Sequence, residues 1–99
     1  MVVLTELKGN IAKKYEDSAD VLKVMAHPVR LGLLEIMQSR GPLNVTAMYE
    51  EFDMPQSTIS QHLSKLKQAK IIAGTRKGLE VYYRVVDDRA KALLNTFVS

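Results

Sequence analysis

The chain has 99 residues, 46% of them hydrophobic and 25% charged, with a formal net charge of +3, which suits one domain with a modest core. It contains no cysteine, so disulfides, thiolate metal sites and thiol redox switching are excluded. No apolar run approaches the ~18 residues of a membrane span, and MVVLTELKGN lacks the pattern of a signal peptide; the cytoplasm is the expected location.

Residues 3–15 are predicted as a short helix with Leu4, Leu7, Ile11 and Ala12 on one side, weakened by Gly9 and Asn10. On a chain this small, such an amphipathic helix is a candidate dimer element. A second helix is predicted from Glu16 to Met25, with Ala19, Leu22 and Met25 inward and Asp17 or Ser18 as its cap. Pro28 fits the first turn of the next helix, where its missing N–H costs nothing. That helix should run to about Ser39, burying Leu31, Leu34 and Ile36 or Met37, before Arg40-Gly41-Pro42 ends it. His27 has no Cys, His or carboxylate cluster near it and reads as support for the junction.

Asn44 is a good N-cap for a helix from Val45 to about Phe52 with Val45, Met48 and Phe52 inward. Asp53-Met54 then makes a tight connection, and Pro55 opens a helix ending near Ala69 or Lys70. Ile59, Leu63 and Leu66 recur at i, i+4, i+7, an apolar stripe for a core. Rotation by ~100° per residue places Ser57, Gln61, Ser64, Lys65 and Gln68 outward, with Thr58 and Ser60 on the flanks. Two short helices joined by a tight turn form a helix-turn-helix over 44–70. A β-hairpin, or wing, follows over 71–86: Lys77-Gly78 is the turn signal, Arg76 and Lys77 lie at the tip, and Leu79, Val81, Tyr83 and Val85 alternate with Glu80, Tyr82 and Arg84. Asp87-Asp88 caps a last helix from Arg89 to about Phe97. With Ala90, Leu93, Leu94, Phe97 and Val98 it is too apolar to face solvent all round, so 87–99 reads as a dimerisation helix partnering 1–15. The fold class expected is mainly α with a small hairpin: a single winged helix-turn-helix domain of about five helices.

Charge singles out one part of this domain. Met54 to Leu79 holds no Asp or Glu but carries Lys65, Lys67, Lys70, Arg76 and Lys77. That segment is +5, which leaves −2 for the rest of a chain of net charge +3. A solvated surface helix usually mixes Glu with Lys. A face of short hydroxyls, amides and bases suits the DNA major groove, where amides and hydroxyls read base edges and Lys or Arg take phosphates. The alternative is a winged-helix interaction module docking an acidic protein; the hydroxyl and amide enrichment favours DNA. There is no glycine-rich phosphate loop, no paired catalytic carboxylates and no histidine in a catalytic arrangement, so neither an enzyme nor a cofactor is expected.

The stretches LKVMAHPVRLGLLEIM (22–37), PQSTISQHLSKLKQAKII (55–72) and TRKGLEVYYRV (75–85), in this order and spacing, resemble the ArsR/SmtB family of dimeric winged-helix repressors over essentially the full length. The resemblance implies a symmetric homodimer joined through its first and last helices, bound to an inverted-repeat operator in double-stranded DNA and blocking transcription. It also implies that Gln56, Ser57, Ser60 and Gln61 meet DNA. With the outward face, the candidate DNA-binding set is Gln56, Ser57, Thr58, Ser60, Gln61, Ser64, Lys65, Arg76 and Lys77, the last three basic residues on phosphates. His62 lies only about 60° from Ile59 on the helical wheel and is expected to be half-buried, a structural histidine. Departures from the family bear on sensing. The positions of VTAMYEEF where family metal sensors carry cysteines have none, and the cysteine pair of the persulfide-sensing branch is missing too. Asp88 matches one zinc ligand of other members, but Ala90 stands where the first histidine would be, and one aspartate does not make a zinc site. The chain is therefore similar to the branch without metal or thiol motifs, which includes small virulence-operon regulators. Its DNA occupancy is then set by its own concentration or by an inducer.

Overall fold

A computed structural model describes residues 9–98. In chain order they form α1 (Gly9–Met25), α2 (Pro28–Arg40), α3 (Val45–Phe52), α4 (Gln56–Gln68), β1 (Ile72–Lys77), β2 (Glu80–Val85) and α5 (Asp88–Phe97). Five helices and a two-stranded antiparallel hairpin are the expected winged helix-turn-helix.

The N-terminal region differs from expectation. α1 is one continuous helix of 17 residues rather than two. No Gly or Pro stands between Asn10 and Ala26 to break it, and an exposed Lys13–Asp17 pair at i,i+4 (3.7 Å) spans the expected boundary. Leu4 and Leu7 lie outside the described residues. The buried face of α1 is Val21 and Met25; Ala19 and Leu22 are exposed instead.

His27 is the N-cap of α2: its Nδ1 accepts from the Val29 amide at 3.1 Å, and Pro28 occupies the first turn. Leu33, Leu34, Ile36 and Met37 are buried, whereas Leu31 is only half-buried, because it faces the cleft between α1 and α5. In α3 the Asn44 Oδ1 accepts from the Ala47 amide at 2.9 Å, and Met48 is fully buried.

α4 buries the expected stripe, Ile59, Leu63 and Leu66. It ends in a Schellman motif, with the Ile71 amide donating to Leu66 O (3.0 Å) and the Lys70 amide to Lys67 O (2.9 Å). Lys70 takes the left-handed conformation this requires, φ 61°, and buried Ile71 meets buried Leu66 across the cap. The chain thereby turns directly from α4 into the hairpin.

The hairpin pairs Ile72 with Val85 at its base and Lys77 with Glu80 at its end. Its loop is Gly78-Leu79, one residue further on than expected. Gly78 has φ 63° and Leu79 does not share the positive φ, the pattern of a type II′ turn with Gly at its first central position. Leu79 therefore leaves the strand alternation and projects from the tip, 96% exposed. The base is tied down by Leu43, which exchanges two backbone hydrogen bonds with Tyr83 (3.0 and 2.8 Å). α5 starts at an Asp87 cap and buries Ala90 and Leu94.

All five helices and both strands contribute to one core, from Val21 and Met25 through Leu34, Met48 and Leu66 to Val85 and Leu94. Among the described residues no polar or charged side chain is buried. Fully buried Leu66 and Ile59 anchor the inner side of α4, so its outer side is held out from the body of the domain.

Candidate nucleic-acid interface

The outward face of α4 is as the periodicity requires. Gln56, Ser57, Gln61, Ser64 and Lys65 are exposed, while Thr58 and Ser60 are half-buried at its edges. This side chain row stands over the buried Ile59, Leu63 and Leu66, so its position follows from the core packing beneath it. The N-terminus of α4 adds a backbone element. No side chain caps it: Pro55 sits at the N-cap, and the amides of Thr58 and Ile59 turn back to Pro55 O. Those of Gln56 and Ser57 stand at the positions where a helix leaves its first donors without an intrahelical partner. An uncapped helix start with no acid in its first turn is suited to an anion such as a phosphate.

The wing supplies the second basic group. Arg76 and Lys77 are both exposed, next to the tip rather than at it. Adjacent strand residues point to opposite faces. The register places Lys77 with Thr75, Glu80, Tyr82 and Arg84, and Arg76 with Gly74, Val81 and Tyr83. On the first of these faces the Lys77 ammonium lies 5.7 Å from the Tyr82 ring centroid, and Arg84 Nη1 donates to Thr75 Oγ1 at 2.9 Å. Arg84 is thus a third exposed wing base that sequence reasoning passed over. The signal was its period-2 spacing from Tyr82 and its cross-strand position relative to Thr75.

His62 lies half-buried at the edge of the α4 face, as its wheel position implies. Its Nδ1 accepts from Arg30 Nε at 3.2 Å, a contact between α2 and α4 that no local motif announces. Burial, then the neighbouring His27, then Arg30 hold its imidazole below the ordinary value of 6.5.

Among the described residues no three His, Asp or Glu side chains come together closely enough to hold a metal ion, and no helix is long and apolar enough to cross a membrane. α1 and α5 border a shallow apolar cleft lined by Leu22, Met25, Ala26, Leu31, Leu93 and Phe97. Leu22 is 53% and Phe97 78% exposed there.

Comparison with known proteins agrees with this geometry. A helix-turn-helix domain family model matches residues 25–75. The chain is 39% identical over 79 residues to the transcriptional repressor PagR of Bacillus anthracis, a match covering 80% of this chain and 79% of that protein. The crystal structure of PagR aligns with a TM-score of 0.79 at 37% identity, over 84% of this chain and 94% of that one. The arsenical resistance operon repressor of Bacillus subtilis is 32% identical over 92 residues, covering 93% of this chain and 85% of that protein. A homodimeric winged helix-turn-helix DNA-binding domain from Mycobacterium bovis, described as a possible ArsR-family transcriptional regulator, aligns with a TM-score of 0.80 at 26% identity, over 90% of this chain and 82% of that one.

Proposed function

The chain belongs to the ArsR/SmtB family of winged helix-turn-helix repressors, and we propose that it works as a homodimer on an inverted-repeat operator, without the metal or thiol sensing sites of other members. The observation that carries this reading is the α4 face: an exposed row of Gln56, Ser57, Gln61, Ser64 and Lys65 inside a 26-residue segment free of carboxylates. Gln61 and Gln56 have both donors and an acceptor for base edges in the major groove, and Ser57, Ser60 and Ser64 offer hydroxyls. Lys65, Arg76 and Lys77 neutralise phosphates, and Thr58 flanks the row.

The apolar cleft between α1 and α5 supports pairing of two copies, since Leu22 and Phe97 would otherwise stay in water. A two-fold pair presents two identical α4 faces, which fits an inverted repeat whose half-sites lie about 34–36 Å apart, one turn of B-DNA.

The test is fluorescence anisotropy on DNA from upstream of the protein's own gene against a scrambled duplex, across a salt range, with zinc and with a chelator. If a dimer neutralises ~6 phosphates, log K on the upstream duplex should fall with a slope near −5 against log salt, with zinc making no difference. Equal, weak binding to both duplexes would instead favour an acidic protein as the partner of this face.

A further inference from the structure

Three helices meet beside the α4 face in a polar cluster that DNA contact alone does not explain. α1 ends with Val24 among its last turn, where carbonyls lack intrahelical partners. Arg30, in the first turn of α2, donates from Nη1 to Val24 O at 3.1 Å and from Nε to His62 Nδ1 at 3.2 Å. One planar guanidinium therefore joins the end of α1 to the middle of α4 through a rigid fork. His27, the α2 cap, lies with its ring centroid 4.5 Å from that of His62 at an interplanar angle of 50°.

We propose that Arg30 is a positioning residue for α4, fastening it to α1 through neutral His62, and that protonation of His62 releases the fastening. The proposal rests on the reading that α4 recognises DNA.

The proton arrangement follows from the hydrogen bond. Nδ1 of His62 accepts, so its one proton sits on Nε2. A second proton on Nδ1 would face an N–H of Arg30, turning an attraction into a donor–donor contact between two cations. Among the described residues no carboxylate acts on His62 to offset this. The groups that act on His62 are His27 and Arg30 from α2; α1 presents the Val24 carbonyl, and on α4 itself the nearest charge is exposed Lys65 one turn on. Burial, His27 and Arg30 all favour the neutral ring, so the fastening holds at neutral pH and opens below the ordinary histidine range.

The link has a consequence for specificity. α1 borders the cleft proposed to pair two copies, so Arg30 ties the orientation of each α4 to the two-fold axis. A loosened α4 loses the fixed spacing that an inverted repeat requires. Random DNA requires no such spacing, and an added positive charge favours it.

The experiment uses the full chain between about pH 5 and pH 8, reading affinity for the upstream and scrambled duplexes by anisotropy. Amide hydrogen exchange of α4, corrected for intrinsic rates and set against α3, is followed in parallel. Wild type should lose several-fold more affinity on the upstream duplex than on the scrambled one as pH falls, with faster α4 exchange at the acid end. Arg30→Lys keeps the charge but not the fork, and should show the acid behaviour already at about pH 8 with unchanged helix content by circular dichroism. His62→Asn sets an amide oxygen near the place of Nδ1 and should flatten the pH profile while keeping the upstream preference. An unchanged preference and unchanged α4 exchange across pH and in Arg30→Lys would overturn the proposal, as would a His62→Asn profile like that of wild type. Exchange that moves as described, with no duplex preference at any pH, would support the fastening and overturn the DNA reading.

Discussion

Asp87 tests how the last helix is held. α5 has ten residues, too few to persist alone in water, and only Ala90 and Leu94 are buried along it. Asp87 Oδ1 accepts from the Ala90 amide at 3.0 Å, and Oδ2 accepts from Arg89 Nη2 at 3.0 Å. Asp87→Ala removes both. Loss of the cap costs about 1 kcal/mol; the pair with Arg89, whose side chain is 54% exposed and screened by solvent, is the smaller contribution. Asp87→Asn keeps an oxygen for the Ala90 amide and should cost about 0.5 kcal/mol or less. Urea unfolding at neutral pH and fixed protein concentration reads both, with an unchanged slope against denaturant. The hydrogen bond from Arg89, helped by the Ala90 amide and against burial, holds the Asp87 carboxyl below its ordinary 3.8. Its folded value is thus below its unfolded one, so the charge contributes fully above about pH 4 and fades as pH falls through the folded value. Wild type and Asp87→Asn should therefore converge in acid. Equal losses from Asn and Ala at neutral pH would refute the cap as the main contribution.

Lys70→Gly should stabilise the chain by about 0.5–1 kcal/mol in thermal or urea unfolding, because Lys70 holds φ 61° at the helix end where Gly is favoured. Gly32 lies where an added Cβ would come within 2.8 Å of the Phe52 ring. Gly32→Ala should therefore cost about 1–2 kcal/mol by overpacking but become neutral or better in a Phe52→Leu background, a coupling that a double-mutant cycle measures. Arg76→Ala should weaken upstream and scrambled DNA about equally and, in a dimer, reduce the salt slope by about 2.

What could be read from the sequence was what has a local cause. Asn44 and Asp87 announce their helices because a short oxygen-bearing side chain satisfies a nearby amide. The Ile59, Leu63 and Leu66 stripe fixes the outward face of α4 by geometry alone. Where two local solutions lie close in energy, the sequence leaves them open. Lys77-Gly78 and Gly78-Leu79 both place glycine in the hairpin loop, and only the observed register shows Leu79 leaving the strand. The continuity of α1 is a question of the same kind, since Glu16 to Ser18 neither breaks a helix nor requires it to continue. Leu22, on paper an inward residue, is exposed because Val21 and Met25 take the buried side of α1 instead. The Arg30–His62 contact joins residues 32 apart and belongs to no motif, so only the fold brings it into view.

If the outward face of α4 reads base edges, Gln61→Ala is the substitution that should show it. Gln61 is exposed, so its removal should leave stability within about 0.5 kcal/mol. A lost base contact costs about 1–3 kcal/mol, and a dimer loses two, so affinity for the upstream duplex should fall at least roughly thirtyfold. The scrambled duplex should be unaffected, because no charge is removed. An equal fall on both duplexes, or none on either, would contradict the account.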